Sequence, residues 1–349
     1  MNEQKPSQFE IILFYKYVHI ANPERFMEEQ RELQKRLELT GRTLIASEGI
    51  NATLEGTQEH IAEYLQVLLS DPRFTTTHIK RSPGTGTAFP KTSIKVRSEI
   101  VTLGLGKCDI DPNKITGTHL SPADLHSWIH SDKEFYIVDM RNIYEHQVGH
   151  FQNSIVPPMD NFRDLPKFLE SVAHLKHKTV VTVCTGGVRC EKASGYLLEN
   201  GFTDVYQLDG GIVSYMAAYP NEDFLGKLYV FDSRMMMGFY TDDPKHQIVG
   251  KCVSCGKPSE RFSNCKDCYR QLIVCEACED SPERTATCPD ECKVSTRKNT
   301  PSLLHKVRKA VKKKQADLLR KGHALYGKSV KRLIGRIKSR YARTSNTKI

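Results

Sequence analysis

The sequence VVTVCTGGVRC at residues 180–190 predicts a buried β-strand that runs through a glycine-containing loop into a helix. Apolar and β-branched residues precede Cys184, and the helical pattern that follows ends at Gly201. Two further apolar strands are predicted at residues 135–139 and 204–208, each separated from the first by a helical pattern. Apolar strands that alternate with helices indicate an α/β domain whose parallel sheet is covered on both faces.

Cys184 lies where the strand turns into the helix, a position that favours a reactive thiolate. Backbone N–H groups of the loop, the positive end of the helix and Arg189 should lower its pKa below the free value of about 8.5. The alternative is a small buried residue that closes a core strand. The neighbouring Gly186-Gly187 and Arg189 favour the reactive site. Cys190 is interpreted as a packing residue, with a resolving thiol as the alternative.

The first hundred residues alternate strands and helices in another order. The predicted elements are strands at residues 9–18, 42–46, 51–54, 75–79 and 92–96 and helices at residues 23–39 and 60–69. Strand, helix, two strands, helix, strand is the split βαβ order of a ferredoxin-like α+β domain. A Gly/Pro/Thr-rich stretch precedes the strand at 92–96, and a polar connection follows it.

Three segments resemble a rhodanese domain and occur in its order. They are residues 138–145 (VDMRNIYE) with 149–151 (GHF), residues 184–189 (CTGGVR) and residues 205–212 (VYQLDGGI). The resemblance implies that Cys184 occupies the position of a cysteine that carries a persulfide, cradled by loop amides. The residues that it assigns to the active-site loop and its support are Thr185, Gly186, Gly187, Val188, Asp139 and Arg141.

A longer set of segments resembles the rhodanese-domain tRNA uridine hydroxylases, over roughly residues 10–292. The segments are 41–52 (GRTLIASEGINA), 89–91 (FPK), 99–101 (EIV), 187–194 (GVRCEKAS) and 230–234 (VFDSR). The resemblance implies an oxidoreductase that converts the wobble uridine of certain tRNAs to 5-hydroxyuridine with molecular oxygen. Cys184 and Arg189 are then the expected catalytic residues.

General chemistry explains part of that activity. A thiolate that adds to carbon 6 of uracil makes carbon 5 electron-rich, and Arg189 or loop amides can stabilise the developing oxyanion. No flavin or nicotinamide motif follows a predicted strand. No cluster of two histidines and a carboxylate at metal-ligand spacing is evident in the sequence either. The sequence therefore indicates no bound cofactor for the activation of oxygen.

Eight of the eleven cysteines lie between residues 251 and 293. They form the close pairs Cys252/Cys255, Cys265/Cys268, Cys275/Cys278 and Cys288/Cys292. Eight thiolates suit two structural, tetrahedral zinc ions, and disulfides are unfavourable in a cytosolic chain. Interleaved pairing leaves 19 residues between Cys255 and Cys275 and 19 between Cys268 and Cys288. That spacing is typical of zinc ribbons, so interleaved pairing is favoured over sequential pairing.

Charge is concentrated at the C-terminal end. Residues 297–349 carry 18 Lys and Arg against the single acid Asp317, whereas the rest of the chain has 33 bases and 40 acids. Basic amphipathic helices are predicted at residues 302–321 and 328–341. The tail therefore indicates a polyanionic partner, and we expect tRNA. A membrane surface is the alternative, but Lys and Arg without Trp or Phe favour phosphate contacts.

Length and composition indicate several globular domains, since the chain has 349 residues, 39% apolar and 26% charged. The predicted parts are a ferredoxin-like (acylphosphatase-like) domain at 1–100, a linker at 101–118, a rhodanese domain at 119–220, a connecting segment at 221–250, a cysteine-rich zinc module at 251–293 and a basic helical tail at 294–349. The sequence has no apolar run of membrane-spanning length and no signal-peptide pattern at residues 1–10. A cytoplasmic protein with no membrane partner is expected.

Two other functions stay open on this sequence. Cys184 could carry persulfide sulfur to a tRNA or protein acceptor, which would make the protein a sulfurtransferase. The protein could also be a non-catalytic, zinc-containing RNA-binding adaptor. Loss of 5-hydroxyuridine in cells without the gene would separate these functions from the hydroxylase.

Four smaller features have two interpretations each. His150 is a packed histidine or a proton carrier, and Met235–Met237 is flexible packing between domains or a soft-metal site. Residues 48–51 form a turn that needs Gly49, with RNA contact as the alternative. A basic stretch either contacts tRNA phosphates or is an ordinary solvated edge. Its members are Lys80, Arg81, Lys91, Lys95 and Arg97.

Overall fold

A computed structural model of the protein describes residues 7–265 and 270–281. The elements of the first domain are β1 (Phe9–Tyr17), α1 (Pro23–Arg36), β2 (Thr40–Ala46), β3 (Gly49–Thr57), α2 (Gln58–Ser70), β4 (Lys80–Pro83) and β5 (Thr92–Val96). Its sheet has the order β4-β1-β3-β2-β5, in which β2 and β5 are parallel and the other neighbours antiparallel. The helices cover one face, where Phe26, Tyr64 and Leu68 pack against Ile12 and Leu54.

The last strands of this domain differ from the prediction. Turns follow α2, with the Phe74 N–H donating to the Asp71 carbonyl and the Thr77 N–H to the Phe74 carbonyl. The strand predicted at 75–79 therefore begins only at Lys80, as β4. The strand at 92–96 is present as β5 and adds a fifth, parallel strand beside β2. The ferredoxin-like order is kept, with one strand displaced and one added.

The second domain contains the predicted parallel sheet. Its elements are β6 (Thr118–Leu120), α3 (Pro122–Ile129), β7 (Tyr136–Asp139), α4 (Ile143–His146), β8 (Gly149–Phe151), α5 (Leu165–Phe168), β9 (Thr179–Val183), α6 (Val188–Glu199), β10 (Asp204–Leu208) and α7 (Gly211–Ala218), with 3₁₀ turns at Gly106–Cys108, Phe162–Asp164 and Leu169–Leu175. The strands are parallel in the order β6-β10-β9-β7. Val180 and Val181 of β9 belong to two different buried clusters, so both faces of the sheet are covered.

Short strands follow α7. They are β11 (Phe224–Gly226), β12 (Leu228–Tyr229), β13 (Met236–Met237), β14 (Phe262–Asn264) and β15 (Gln271–Ile273), with a last helix α8 (Glu276–Glu279). β11 pairs with β8, which returns the chain to the second domain. The Arg234 side chain donates to Ser82 Oγ and to the Pro83 carbonyl, both at 3.2 Å. This segment therefore contacts both domains.

Lys192 of α6 is fully buried and joins three distant parts of the chain. Its Nζ lies 2.9 Å from Glu48, 3.0 Å from Glu99 and 2.5 Å from Asp109. Burial raises the pKa values of Glu48 and Asp109 although Lys192 acts in the opposite direction. Gly49 is required in the same turn, because a Cβ there would lie 2.0 Å from the Lys16 carbonyl oxygen. The turn between β2 and β3 thus holds the first domain against the second.

Residues 101–118, predicted as a linker, are packed against the second domain. Leu103 and Ile110 are buried in its core. The Gly117 N–H donates to Ser194 Oγ at 2.7 Å. This segment is therefore a fixed part of the joint between the domains.

Several predicted features fall outside the described residues. They are the basic helical tail at 294–349 and the cysteines Cys268, Cys288 and Cys292. Within the residues that are described, no helix combines the length and the hydropathy needed to cross a membrane.

Candidate functional site

The Cys184 loop is held by backbone groups from two helices. Gly187 precedes α6 with a φ of 101°, a conformation that favours glycine, and its N–H donates to Cys184 Sγ at 3.2 Å. The Ile212 N–H at the start of α7 donates to the Cys184 carbonyl at 2.9 Å. Gly211 is needed for this approach, because a Cβ there would lie 2.7 Å from that carbonyl oxygen. The loop is thus fixed around the sulfur.

The thiol of Cys184 is acidified by its surroundings. Burial raises its pKa, but a hydrogen bond from the Cys190 thiol, the Arg189 charge and the backbone N–H groups of both residues outweigh burial and lower the pKa to about 6. Burial and the Cys184 charge raise the pKa of Cys190 instead. Cys184 is therefore the thiolate near neutral pH, and Cys190 is the protonated donor beside it.

Arg189 is paired with a carboxylate that sequence analysis missed. Its two terminal nitrogens lie 2.6 and 2.9 Å from the oxygens of Glu145, and one of them also donates to Thr185 Oγ1 at 3.1 Å. Glu145 is fully buried. Its position in the 138–145 segment was visible in the sequence, but nothing there indicated that it would meet Arg189. Arg189 therefore fixes the loop and contributes its charge through an ion pair.

Cys184 has no exposed surface. Two side chains of β1 lie on its loop: a Cβ on Gly186 would lie 2.7 Å from Leu13 Cδ2, and one on Gly187 would lie 2.8 Å from the Tyr15 hydroxyl oxygen, both too close for any side chain. The Tyr15 hydroxyl donates to Glu191 of α6 at 2.9 Å. The first domain therefore covers the reactive sulfur, and a substrate can reach it only when these side chains move.

A cavity of about 280 Å³ lies between the two domains beside this cover. The residues that line it are Tyr15, Lys16, Tyr17, Thr76, His78, Lys80, Pro112, Asn113, Thr116, His119, Glu191 and Asp209. Lys80 is 7% exposed, and its Nζ lies 4.7 Å from the centre of the Tyr15 ring. Among the described residues no carboxylate lies within ion-pair distance of Lys80. Burial lowers its pKa to about 8, against the opposing charges of Asp209, Cys184 and Glu191.

The opposite wall of the cavity carries a second charged group. His119 lies 3.6 Å from both Glu191 and Asp209. Hydrogen bonds to these carboxylates raise its pKa to about 10, so the imidazole is cationic at neutral pH. Sequence analysis placed Lys80 only in the basic stretch and assigned no role to His119, because the residues of the cavity come from both domains and meet only when the domains pack.

Comparison with known proteins assigns the chain to a family. Profiles match in three consecutive parts: the UPF0176 acylphosphatase like domain at residues 9–100, the Rhodanese-like domain at 121–218 and the Rhodanase C-terminal region at 225–293. A Cytophaga hutchinsonii protein named tRNA uridine(34) hydroxylase is 43% identical over 287 residues, which cover 82% of this chain and 90% of that protein. The chain belongs to the tRNA uridine(34) hydroxylase family.

Other members of the tRNA uridine(34) hydroxylase family match over similar lengths. The Bacillus licheniformis protein is 42% identical over 296 residues, covering 83% of this chain and 90% of its own length. The Onion yellows phytoplasma protein is 39% identical over 297 residues, covering 84% and 94%. The resemblance found in the sequence is confirmed, as are the acylphosphatase-like first domain and the rhodanese domain.

Asp139 and Arg141, assigned by the resemblance to support the loop, form a fully buried pair. The Arg141 side chain donates to Asp139 from Nε, at 3.0 and 3.1 Å to its two oxygens, and from Nη2 at 2.7 Å. Nη2 also donates to the Gly149 carbonyl at 2.7 Å. The pair holds the end of β7 against β8. It thereby fixes the start of the turn that carries Glu145.

The members of the basic stretch lie in different surroundings in the structure. Lys80 lines the cavity, whereas Arg81 forms an ion pair with Glu10 at 2.6 Å. Lys91, Lys95 and Arg97 are exposed.

The His150 ring stacks on His146 at 4.2 Å, and its Nδ1 is 3.1 Å from the His146 carbonyl oxygen.

Four cysteines in the C-terminal region of this family member come together. The sulfur atoms of Cys252, Cys255, Cys275 and Cys278 lie within 4.8 Å of one another, and those of Cys255 and Cys275 are 3.6 Å apart. Such a cluster can hold a metal ion. These are the four partners of one interleaved set. Cys265 is buried nearby, and the other members of the second set are outside the described residues.

A second cluster combines two histidines with two carboxylates, a grouping that no sequence motif made evident. His126, His130, Glu222 and Asp223 place their ligand atoms within 4.8 Å of one another. The spacing of His126 and His130, four residues apart, was the available signal. The two acids lie more than 90 residues away in the sequence and could not be linked to it.

Proposed function

We propose that this protein hydroxylates carbon 5 of the wobble uridine in tRNA, with molecular oxygen as co-substrate and Cys184 as the nucleophile. The observation that carries the proposal is an acidified thiolate on a rigid loop, next to a cavity with charged walls. Membership in the tRNA uridine(34) hydroxylase family supplies the class of substrate. We further propose a cytoplasmic location, because tRNA modification takes place there.

The proposed reaction balances as an addition, an oxygen transfer and an elimination. The Cys184 thiolate adds to carbon 6 of uracil and leaves an enolate across carbon 5 and oxygen 4. Carbon 5 takes one oxygen atom from O₂, and the other atom leaves as water with two protons and two electrons from an external reductant. Loss of the carbon 5 proton and departure of the thiolate restore the ring.

Lys80 is placed to stabilise the enolate in this scheme. It is a buried cation on the cavity wall, and its lowered pKa reflects burial in a weakly solvating environment. The Glu191, Asp209 and His119 groups on the opposite wall offer acceptors and a donor. These suit the alternating carbonyl and N–H groups of a uracil edge. The uridine would have to leave its base stack to enter the cavity.

Access to Cys184 requires a movement of the first domain or of two of its side chains. Leu13 and Tyr15 lie directly on the loop, and the Tyr15 hydroxyl is bonded to Glu191. We propose that uridine displaces Tyr15 from the loop and takes its place over Cys184. The cavity beside Tyr15 provides the entry side.

We propose that the cysteine module holds two structural zinc ions. Tetrahedral Zn–S bonds of about 2.3 Å place sulfurs about 3.8 Å apart, close to the 3.6 Å between Cys255 and Cys275. One ion would bind Cys252, Cys255, Cys275 and Cys278. The second would bind Cys265, Cys268, Cys288 and Cys292.

We propose domain boundaries at residues 100, 118, 220, 250 and 293. We propose that the basic tail at 294–349 binds tRNA phosphates, because it carries a formal charge of +17 whereas the rest of the chain carries −7. Such binding would weaken steeply as the salt concentration rises.

The test of the catalytic role is complementation with Cys184→Ser in cells that lack the gene, followed by nucleoside mass spectrometry of bulk tRNA. We expect loss of 5-hydroxyuridine, because a serine hydroxyl is not ionised at neutral pH. Cys108→Ser is the matched control, since Cys108 is an exposed cysteine outside the site, and it should keep the wild-type level. Wild-type 5-hydroxyuridine with Cys184→Ser would contradict the proposal.

A further inference from the structure

Two histidines and two carboxylates, none of them part of the cysteine module, converge on the surface of the second domain. His126 Nε2 lies 2.8 Å from Glu222 Oε2, and His130 Nε2 lies 3.2 Å from Asp223 Oδ1. All four ligand atoms are within 4.8 Å of one another. We call these four residues the His/acid cluster.

The backbone places the cluster at the meeting point of two elements. His126 lies on α3 and His130 caps its end, four residues apart and hence on one face. Glu222 and Asp223 follow α7, in a turn where Asn221 has a positive φ of 57°. The carboxylates therefore reach the histidines from a separate part of the chain.

The rings and carboxylates of the cluster are held in position by neighbours. The His126 ring stacks on Tyr219 at 4.0 Å with an interplanar angle of 9°, and it contacts the His130 ring at 4.4 Å. The Tyr215 hydroxyl donates to the second oxygen of Asp223, which leaves the first oxygen facing His130. Such outer hydrogen bonds orient metal ligands in known sites.

We propose that the His/acid cluster binds a divalent first-row transition-metal ion such as zinc. Two imidazole nitrogens and two carboxylate oxygens suit zinc or cobalt, whereas calcium and magnesium prefer oxygen alone. Tetrahedral bonds of about 2.0–2.2 Å place ligand atoms about 3.4 Å apart. The separations within the cluster, from 2.8 Å in the shorter ion pair to at most 4.8 Å, lie on both sides of that value, so binding requires side-chain adjustments.

The proposed site is structural and separate from the reaction at Cys184. Four protein ligands fill a tetrahedral shell and leave no open position. The cluster lies beyond the C-terminal end of α7, whereas the start of that helix binds the Cys184 loop. A bound ion would join α3 to the turn that leads into β11. The inference therefore does not depend on the proposed hydroxylase activity.

The experiment counts zinc in purified full-length protein by mass spectrometry after zinc loading and gel filtration. The double variant His126→Ala/His130→Ala should hold one ion per chain fewer than wild type, since the cysteine module is unchanged. His174→Ala/His177→Ala is the matched control, because both histidines are exposed in the same domain, and it should hold the wild-type number.

A second double variant keeps both histidines, so it tests the same site even where His126→Ala/His130→Ala does not fold. Glu222→Gln/Asp223→Asn removes the two anionic ligands and leaves α3 intact, and it too should lack one ion. Replacement of zinc by cobalt gives an independent readout: both variants should lose visible bands of a nitrogen and oxygen site while keeping thiolate-to-cobalt charge-transfer bands. Equal zinc counts in wild type and both variants would overturn the proposal and leave two histidine–carboxylate ion pairs only.

Discussion

The Cys184 loop and the cysteine module present the same side chain in two kinds of surroundings. At Cys184 a single sulfur is acidified by a backbone N–H group, a neighbouring thiol and the charge of Arg189. In the module, the sulfurs of Cys252, Cys255, Cys275 and Cys278 lie next to one another. Fixed dipoles stabilise a thiolate and leave its lone pairs available, whereas a metal ion uses them.

The two regions also depend on different parts of the chain. The Cys184 loop is positioned by contacts with the first domain, with α7 and with Glu145. Among its described residues, 251–265 and 270–281, the module has few buried apolar side chains besides its cysteines, among them Leu272 and Val274. We therefore expect that loss of metal affects one region and loss of interdomain contacts the other.

Metal removal should have the largest effect, concentrated in the module and, for the ion proposed at the His/acid cluster, in α3 and the turn before β11. Structural zinc contributes about 10–16 kcal/mol to the folding of small zinc domains. After chelation, hydrogen exchange in peptides from residues 251–281 should approach that of an unfolded chain, while β9 and α6 keep their protection. If the module keeps its protection from hydrogen exchange after chelation, metal binding is not what stabilises it, and the difference between the two regions does not hold.

Lys192→Met should have the next largest effect, on the interdomain joint. It leaves the carboxylates of Glu48, Glu99 and Asp109 without their shared cation, and breaking a buried ion pair costs about 3–5 kcal/mol. Urea unfolding of the second domain measures the loss, and the zinc content should not change. Lys178→Met is the control, because Lys178 pairs with Glu134 at the surface, and its loss should leave the urea midpoint nearly unchanged. An equal cost for both variants would argue against a joint centred on Lys192.

Local sequence patterns were sufficient for the parallel sheet and for the position of Cys184. The apolar run at 180–183 and Gly186-Gly187 determine a strand, a turn and a helix start within a few residues. The family segments were likewise visible as short continuous motifs. These features depend on neighbours in sequence, and a single sequence contains that information.

The rest of the site depends on packing between distant segments. Glu145 meets Arg189 across 44 residues, and Lys80 reaches the cavity only because β4 begins after the turns that follow α2. The strand was predicted too early because residues 75–79 are also compatible with extended structure. The cover over Cys184 was not foreseen, since it is formed by the other domain.

Arg189→Met should shift the pH dependence of Cys184 without affecting the module. In the wild type the thiolate fraction falls as the pH drops through about 6. Loss of the cation, with Glu145 left nearby, should raise that midpoint by about 1–3 pH units. Iodoacetamide labelling of the Cys184 peptide against pH, followed by mass spectrometry, measures it. Arg163→Met, at an exposed arginine, should leave the midpoint in place; a midpoint that is also unchanged in Arg189→Met would show that the N–H groups and Cys190 suffice.

Leu13→Ala should have the smallest effect. It should change only the access of reagents to the Cys184 sulfur. Leu13 contacts the loop at Gly186, and truncation removes part of the cover over Cys184 without touching a charged group. Labelling of Cys184 at a fixed pH above its midpoint should become about tenfold faster, which corresponds to about 1.4 kcal/mol less cost for exposing the sulfur. The pH midpoint should not move, since none of the groups that acidify the thiol has changed. Leu33→Ala in α1 is the control, because Leu33 packs in the first domain's own core. If both variants accelerate labelling equally, exposure follows general loosening of that domain; if only Leu13→Ala does, the first domain acts as the cover of the reactive cysteine.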